Sequence, residues 1–122
     1  MLERIYPVGT MLKGIRVIDT HFEYSLARPL QSYAITVKLP ILLPKGSFLD
    51  AVVVAHRERS IIALPFPISI NTLSKKALEY IPGIGKRAAG DILLKRPFEN
   101  IEQLAVIAPS LDERIKKLIA YR

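Results

Sequence analysis

Between residues 81 and 88 the chain reads Ile81-Pro82-Gly83-Ile84-Gly85-Lys86-Arg87-Ala88, a spacing suited to holding a phosphate anion. Pro82 has a fixed φ and no amide hydrogen to satisfy, and Gly83 is free to take a positive φ, so the chain can reverse tightly here. Gly85 keeps the backbone bare where a ligand would approach. The amides of Gly85, Lys86 and Arg87 fall at the start of the next helix, where no intrahelical acceptor exists and the helix dipole favours negative charge. Lys86 and Arg87 add two full positive charges, and Ile84 can tuck inward as a plug.

Other readings of the same residues compete with this one. Gly83-x-Gly85-x-x-Ala88 formally satisfies a dinucleotide fingerprint, but it follows a helical pattern instead of a strand and has no βαβ context. A Walker sequence is absent, because Gly85-Lys86 is followed by Arg87 and the earlier glycine is missing. A purely structural αα-hairpin, packed against another domain or protein, remains open. Catalysis finds no support: Ser, His, Asp and Glu occur, but at no spacing that assembles a site. The chain has no cysteine, which removes disulfides, thiolate metal sites and thiol chemistry together, and His21 lacks a second ligand at metal spacing. Neither a cofactor nor a metal is expected.

The hairpin needs two helices to hold it, and the pattern supplies them. After Pro67 the apolar period changes from two to about 3.6. Asn71 is placed to cap a helix through Tyr80 that turns Leu73, Ala77, Leu78 and Ile81 inward. A second helix runs from Lys86 to Lys95 with Ala88, Ala89, Ile92 and Leu93 as its inner stripe, and Pro97 imposes the stop. Asn100 opens a third, with Gln103 at the reciprocal capping position. Ser110 and Glu113 form a capping box for a fourth that buries Leu111, Ile115, Leu118 and Ile119.

A shift of 27 residues lays the last helical pair on the first, matching Pro82 to Pro109, Ile84 to Leu111, Arg87 to Arg114 and Ile92 to Ile119. Two such units would dock as a four-helix pseudo-dimer. In the second copy Ser110 replaces Gly83 and Asp112 replaces Gly85. Asp112 and Glu113 set negative charge where a phosphate would need to sit, so this copy reads as structural.

The apolar-Pro-Gly-apolar-Gly hairpin followed by a basic, Ala-containing helix resembles the helix-hairpin-helix family. Ile70-Asn71-Thr72 before it, and Arg96-Pro97-Phe98 with Ile101 and Leu104 after it, resemble double helix-hairpin-helix modules. The resemblance covers roughly residues 70 to 122. It implies binding of duplex or single-stranded nucleic acid through the sugar-phosphate backbone with little sequence preference, which matches what bare amides and point charges can read. Gly83, Ile84, Gly85, Lys86 and Arg87, with Lys95 and Arg96, are the expected contacts. Arg114, Lys116 and Lys117 would add peripheral charge.

The first 70 residues alternate like strands. In Ser32 to Leu39, Tyr33, Ile35, Val37 and Leu39 share one face. Thr10 to Asp19 is a second extended segment, with Gly14 as a bulge or bend. Leu49 to His56 and Ser60 to Leu64 form a hairpin through Arg57-Glu58-Arg59. Prolines at 29, 40, 44, 65 and 67 fall between or at the ends of these segments. Four or five short strands predict a small, partly closed barrel of the OB or TRAM kind over residues 1 to 70, joined without a linker to a double helix-hairpin-helix over 71 to 122. The class is α+β. His56, Arg57 and Arg59 at the hairpin tip are secondary contact candidates, as are Arg28, Ser32 and Tyr33, although a solvated turn explains them as simply. Five Tyr and four Phe could supply stacking platforms on a barrel face, with most in the core.

Segments around Gly46-Ser47-Phe48-Leu49-Asp50-Ala51-Val52-Val53-Val54, His56, Arg59-Ser60 and Pro65-Phe66-Pro67 also resemble, more loosely, the C-terminal region of a family of archaeal radical-SAM proteins. That resemblance implies an RNA-contacting or protein-interaction part of a larger RNA-modifying enzyme. The cysteine triad of that chemistry is absent, so this chain could only be an accessory to it.

With a net charge of +7 and a pI near 9.9 the chain favours a polyanionic partner. The excess is spread along the whole length, so it supports only weak, general attraction. No apolar run approaches the ~20 residues of a membrane span, and Glu3 and Arg4 interrupt the N-terminus without a signal-peptide core. The expectation is a cytoplasmic, non-catalytic nucleic-acid-binding protein, DNA favoured over RNA as the partner.

Overall fold

A computed structural model describes residues 2–29 and 35–121. The chain divides into two compact units, Met1–Phe66 and Pro67–Arg122.

The first unit opens with a helical turn, α1 (Leu2–Ile5), and continues as five strands: β1 (Met11–Thr20), β2 (Ser25–Arg28), β3 (Thr36–Leu39), β4 (Phe48–His56) and β5 (Ser60–Pro65). They close into a barrel in the order β1-β2-β3-β5-β4. Every neighbouring pair is antiparallel except β3 and β5, which run parallel. The expected alternation fills the interior: Leu12, Ile15 and Val17 of β1 meet Val37 and Leu39 of β3, Ala51 and Val53 of β4, and Ile61 and Ala63 of β5. Burying each large aliphatic side chain contributes about 1.5–3 kcal/mol, which closes a barrel of short strands.

Gly14 is a bulge. Its φ is +62°, the β1–β4 register slips between Leu12 and Ile15, and its amide donates to the Asp50 carboxylate at 2.9 Å. The slip turns Ile15 back into the core and Lys13 and Arg16 outward. Ser25 is fully buried, its hydroxyl donating to the Ile41 carbonyl at 2.8 Å and accepting from the Leu43 amide at 2.9 Å. The expected strand from Ser32 begins, within the described residues, at Thr36; Ser32, Tyr33 and Ala34 lie outside them.

The second unit contains α2 (Lys75–Glu79), α3 (Lys86–Lys95), α4 (Ile101–Ile107) and α5 (Glu113–Lys116), bracketed by two short parallel strands, β6 (Ile68–Ser69) and β7 (Ile119–Ala120). Three expectations need correction. Ser74, not Asn71, caps α2, its hydroxyl accepting from the Ala77 amide at 3.2 Å. Asp112, not Ser110, caps α5 by accepting from the Arg114 amide at 2.8 Å. Ile119 belongs to a strand, because α5 ends at Lys116 and the chain extends to pair with Ile68. By contrast α3 runs from Lys86 to Lys95 as expected, and Asn100 caps α4 through the Gln103 amide at 3.0 Å, while Gln103 returns a bond to the Glu99 amide at 2.7 Å.

The 27-residue repeat is visible in the backbone. The Ile84 amide donates to the Ile81 carbonyl and the Leu111 amide to the Ala108 carbonyl, at 2.9 and 3.2 Å, so both copies make the same turn. Asn71 and Phe98, also 27 apart, bond directly: the Asn71 side chain donates to the Phe98 carbonyl at 2.9 Å and accepts its amide at 2.7 Å. That side chain was expected to cap a helix and is instead spent holding two equivalent points of the repeat together.

Candidate nucleic-acid interface

The two hairpins meet through their turns. Gly83 takes φ +90°, and a Cβ there would overlap the Ser110 carbonyl group and lie 2.7 Å from Leu111 Cα. Next to it the Asp112 amide donates to the Pro82 carbonyl at 3.1 Å. Gly83 is thus a requirement of packing as well as of turn geometry. Ile84 is buried, as its place between the glycines implied, and its amide is bonded to the Ile81 carbonyl, so this residue holds the turn from within.

Gly85 differs from Gly83 in kind. Its φ of −90° is open to any residue, and a Cβ there would meet nothing within 4 Å. It stands at the N-cap of α3, with no side chain capping the helix. Nothing internal therefore shields the amides of the first turn, which have no acceptors within the helix. Lys86 and Arg87 are exposed and, among the described residues, take part in no ion pair. These residues line one side of an open concavity of about 580 Å³, faced by Val106, Ile107, Ala108, Pro109 and Ser110. Four lining residues were not anticipated from the sequence: Asp91, one turn along α3, and Val106, Ile107 and Ala108 at the end of α4, of which Val106 is 80% exposed. The i+4 spacing of Asp91 from Arg87 could have placed the first; nothing in the pattern marked the others.

The second hairpin uses its own anion-binding groups internally. The Asp112 carboxylate accepts the Arg114 amide at 2.8 Å and the guanidinium at 3.0 and 2.8 Å, filling the position of Gly85 with a side chain already bonded. Hydrogen bonding to Arg114 holds the Asp112 carboxyl below its usual range. Lys116 pairs with Glu113 at 2.7 Å. Arg114 and Lys116, expected as peripheral charge, are thus engaged with acids, whereas Lys117 is exposed and without an ion pair among the described residues.

The remaining candidates lie elsewhere. Lys95 and Arg96 are at the far end of α3, ~13 Å along the axis from Lys86 at 1.5 Å per residue. Lys95 is exposed, while Arg96 donates Nη1 to the Leu73 carbonyl at 2.7 Å and the Ile70 carbonyl at 3.5 Å. His56, expected at the hairpin tip, is half-buried and donates Nε2 to the Tyr6 carbonyl at 2.6 Å, which fixes the segment before β1. Arg57 and Arg59 are exposed at the β4–β5 turn, with the Arg57 Nη1 on the His56 carbonyl at 3.2 Å.

Residues 67–115 match the model of the helix-hairpin-helix motif. This match covers the hairpin and its flanking helices, and the motif is consistent with nucleic-acid binding. Over 107 residues the chain is 29% identical to an uncharacterized protein of Archaeoglobus fulgidus, an alignment that takes in 88% of this chain and 20% of that relative. No solved structure matches the chain. The radical-SAM resemblance finds no support in either match. No helix among the described residues is long and apolar enough to cross a membrane.

Proposed function

We propose that this protein binds nucleic acid, DNA in preference to RNA, through the phosphate backbone and without sequence selection. The observation that carries the reading is the contrast at equivalent positions of the repeat: Gly85 leaves α3 without a side-chain cap beside two cations that form no ion pair among the described residues, and Asp112 caps α5 and binds Arg114. A phosphate oxygen would accept from the first-turn amides of α3, with Lys86 and Arg87 supplying charge. Such contacts position a backbone and carry no base information. One working hairpin neutralises about one to three phosphates, which sets an affinity of roughly 10⁻⁴ to 10⁻⁶ M at physiological salt.

The reading has no catalytic step. Titration against duplex DNA, single-stranded DNA and folded RNA at low salt tests it: binding that weakens steeply with salt supports it, and absence of binding to all three removes it. The length of the Archaeoglobus relative favours a second reading in which the same hairpin serves a larger polypeptide.

A further inference from the structure

The outer face of the barrel carries a row of side chains that the hairpin does not use. Arg16 of β1 stands between two register partners, Arg28 of β2 on one side and Phe48 of β4 on the other. Lys13, across the bulge at Gly14, also points outward. All four are exposed, Phe48 to 60%. Among the described residues none of the three cations has a carboxylate partner. Like charges directly opposite each other across a strand pair repel, and an exposed ring leaves apolar surface in water. The row therefore lacks both a counter-charge and an apolar cover.

Two acids border the row and narrow what can supply both. Asp50 follows Phe48 by two residues on β4, on the same side of the sheet, with its carboxylate on the Gly14 amide at 2.9 Å. Asp19, exposed on β1 beyond Arg16, faces His21 at 3.4 Å. A nucleic-acid backbone carries a charge at every nucleotide and would set phosphates against these carboxylates. A polypeptide can place its own carboxylates on the arginines alone and neutral side chains opposite Asp50 and Asp19. The ring favours the same partner. The Arg16 guanidinium lies over it, 5.9 Å from the centroid, on a face that a base would need, and the exposed remainder suits a bulky apolar side chain. We propose that Arg16, Arg28 and Phe48 form a docking surface for an acidic peptide segment of another protein. Neighbouring carboxylates would engage the two guanidiniums, and a large apolar residue would cover Phe48. Arginine forks pair with carboxylates bidentately, and arginine and aromatic anchors carry much of the energy of protein interfaces. No group of the hairpin takes part, so this surface stands or falls apart from the nucleic-acid reading.

The test is fluorescence anisotropy with the whole chain and a labelled peptide of about ten residues, Asp-Glu-Phe-Leu flanked by Gly and Ser. The unaltered protein should bind it, and a peptide with Asn-Gln in place of Asp-Glu should bind at least ~10-fold more weakly. Arg16→Ala with Arg28→Ala should weaken binding of the acidic peptide at least ~10-fold, and Phe48→Ala about fivefold. Lys86→Glu with Arg87→Glu should change it less than about twofold, because screening confines a distant charge. In the unaltered protein, the NMR signals of the Arg16 and Arg28 Nε groups should shift as the peptide is added, a readout that needs no variant to fold. Circular dichroism checks that each variant keeps the barrel. The proposal is overturned by absence of binding in the unaltered protein, by equal binding of the Asn-Gln peptide, or by unmoved Nε signals. Binding unchanged in the arginine pair or in Phe48→Ala also overturns it. So does oligothymidylate that displaces the peptide from the protein carrying Lys86→Glu and Arg87→Glu, a result that assigns the row to nucleic acid.

Discussion

Gly83 and Ser110 occupy equivalent positions of the 27-residue repeat, and they meet: a Cβ on Gly83 would overlap the Ser110 carbonyl. The glycine at φ +90° therefore closes one hairpin onto the other. Gly85, two residues on, faces open space with an ordinary φ. One glycine serves the fold, and the other leaves a helix end bare.

This contrast predicts opposite outcomes for the same substitution. Gly83→Ala should cost at least ~2 kcal/mol, from the unfavourable φ and the displaced Ser110 backbone together. Gly85→Ala should cost less than about 1 kcal/mol, because only N-cap preference changes. Urea denaturation of the two variants measures both, and equal losses would contradict the division of roles.

Arg96 and Lys95 should separate in the same way. Removing the Arg96 guanidinium by Arg96→Met leaves the Leu73 carbonyl without its 2.7 Å donor, and a loss of ~1–3 kcal/mol is expected. Lys95→Met alters an exposed side chain and should stay within about ±0.5 kcal/mol. Thermal unfolding monitored by circular dichroism checks the pair.

The Asp112–Arg114 bond sets a pH dependence. Arg114 lowers the folded-state pKa of Asp112 below its ordinary 3.8. The bond therefore stabilises the fold fully above the unfolded-state pKa, and that contribution is lost as the pH falls through the folded-state value. Carboxyl-carbon NMR should find Asp112 titrating below 3.8 in the intact protein and closer to that value in Arg114→Ala. The stability difference between the two proteins should shrink as the solution is acidified beneath that range.

Much of this was legible in the residues. Helix α3 declares itself because its start is a glycine, its stop precedes Pro97, and its apolar stripe is long enough to show a period. The bulge at Gly14 and the β4–β5 hairpin were equally plain. Four-residue β2 was missed because Ser25-Leu26-Ala27-Arg28 is too short to establish alternation, and its one buried polar group is satisfied by a distant segment, Ile41 to Leu43. Strands β6 and β7 depend on pairing across about half the chain, which local pattern cannot reveal. The caps were misplaced where candidates crowd: Asn71, Thr72 and Ser74 all suit an N-cap, as do Ser110 and Asp112. Tertiary contacts decided, with Asn71 taken by Phe98 and Ser110 packed against Gly83. At the site, the hairpin's glycines and cations were visible, but the engagement of Arg96 and His56 was not, since each bonds to groups that only folding brings near; Arg114 bonds to Asp112 two residues before it, a local pairing that the spacing of the two charges could have shown.

The most direct test of the account is the salt dependence of duplex binding, compared between the unaltered protein and Lys86→Glu with Arg87→Glu. Both side chains are exposed, so the variant should fold normally. The unaltered protein should lose affinity linearly in log–log form with a slope of about −1 to −3, and the variant should bind at least ~10-fold more weakly with a slope nearer zero. An unchanged slope and affinity in the variant would contradict the assignment of phosphate binding to the Gly83 to Arg87 hairpin.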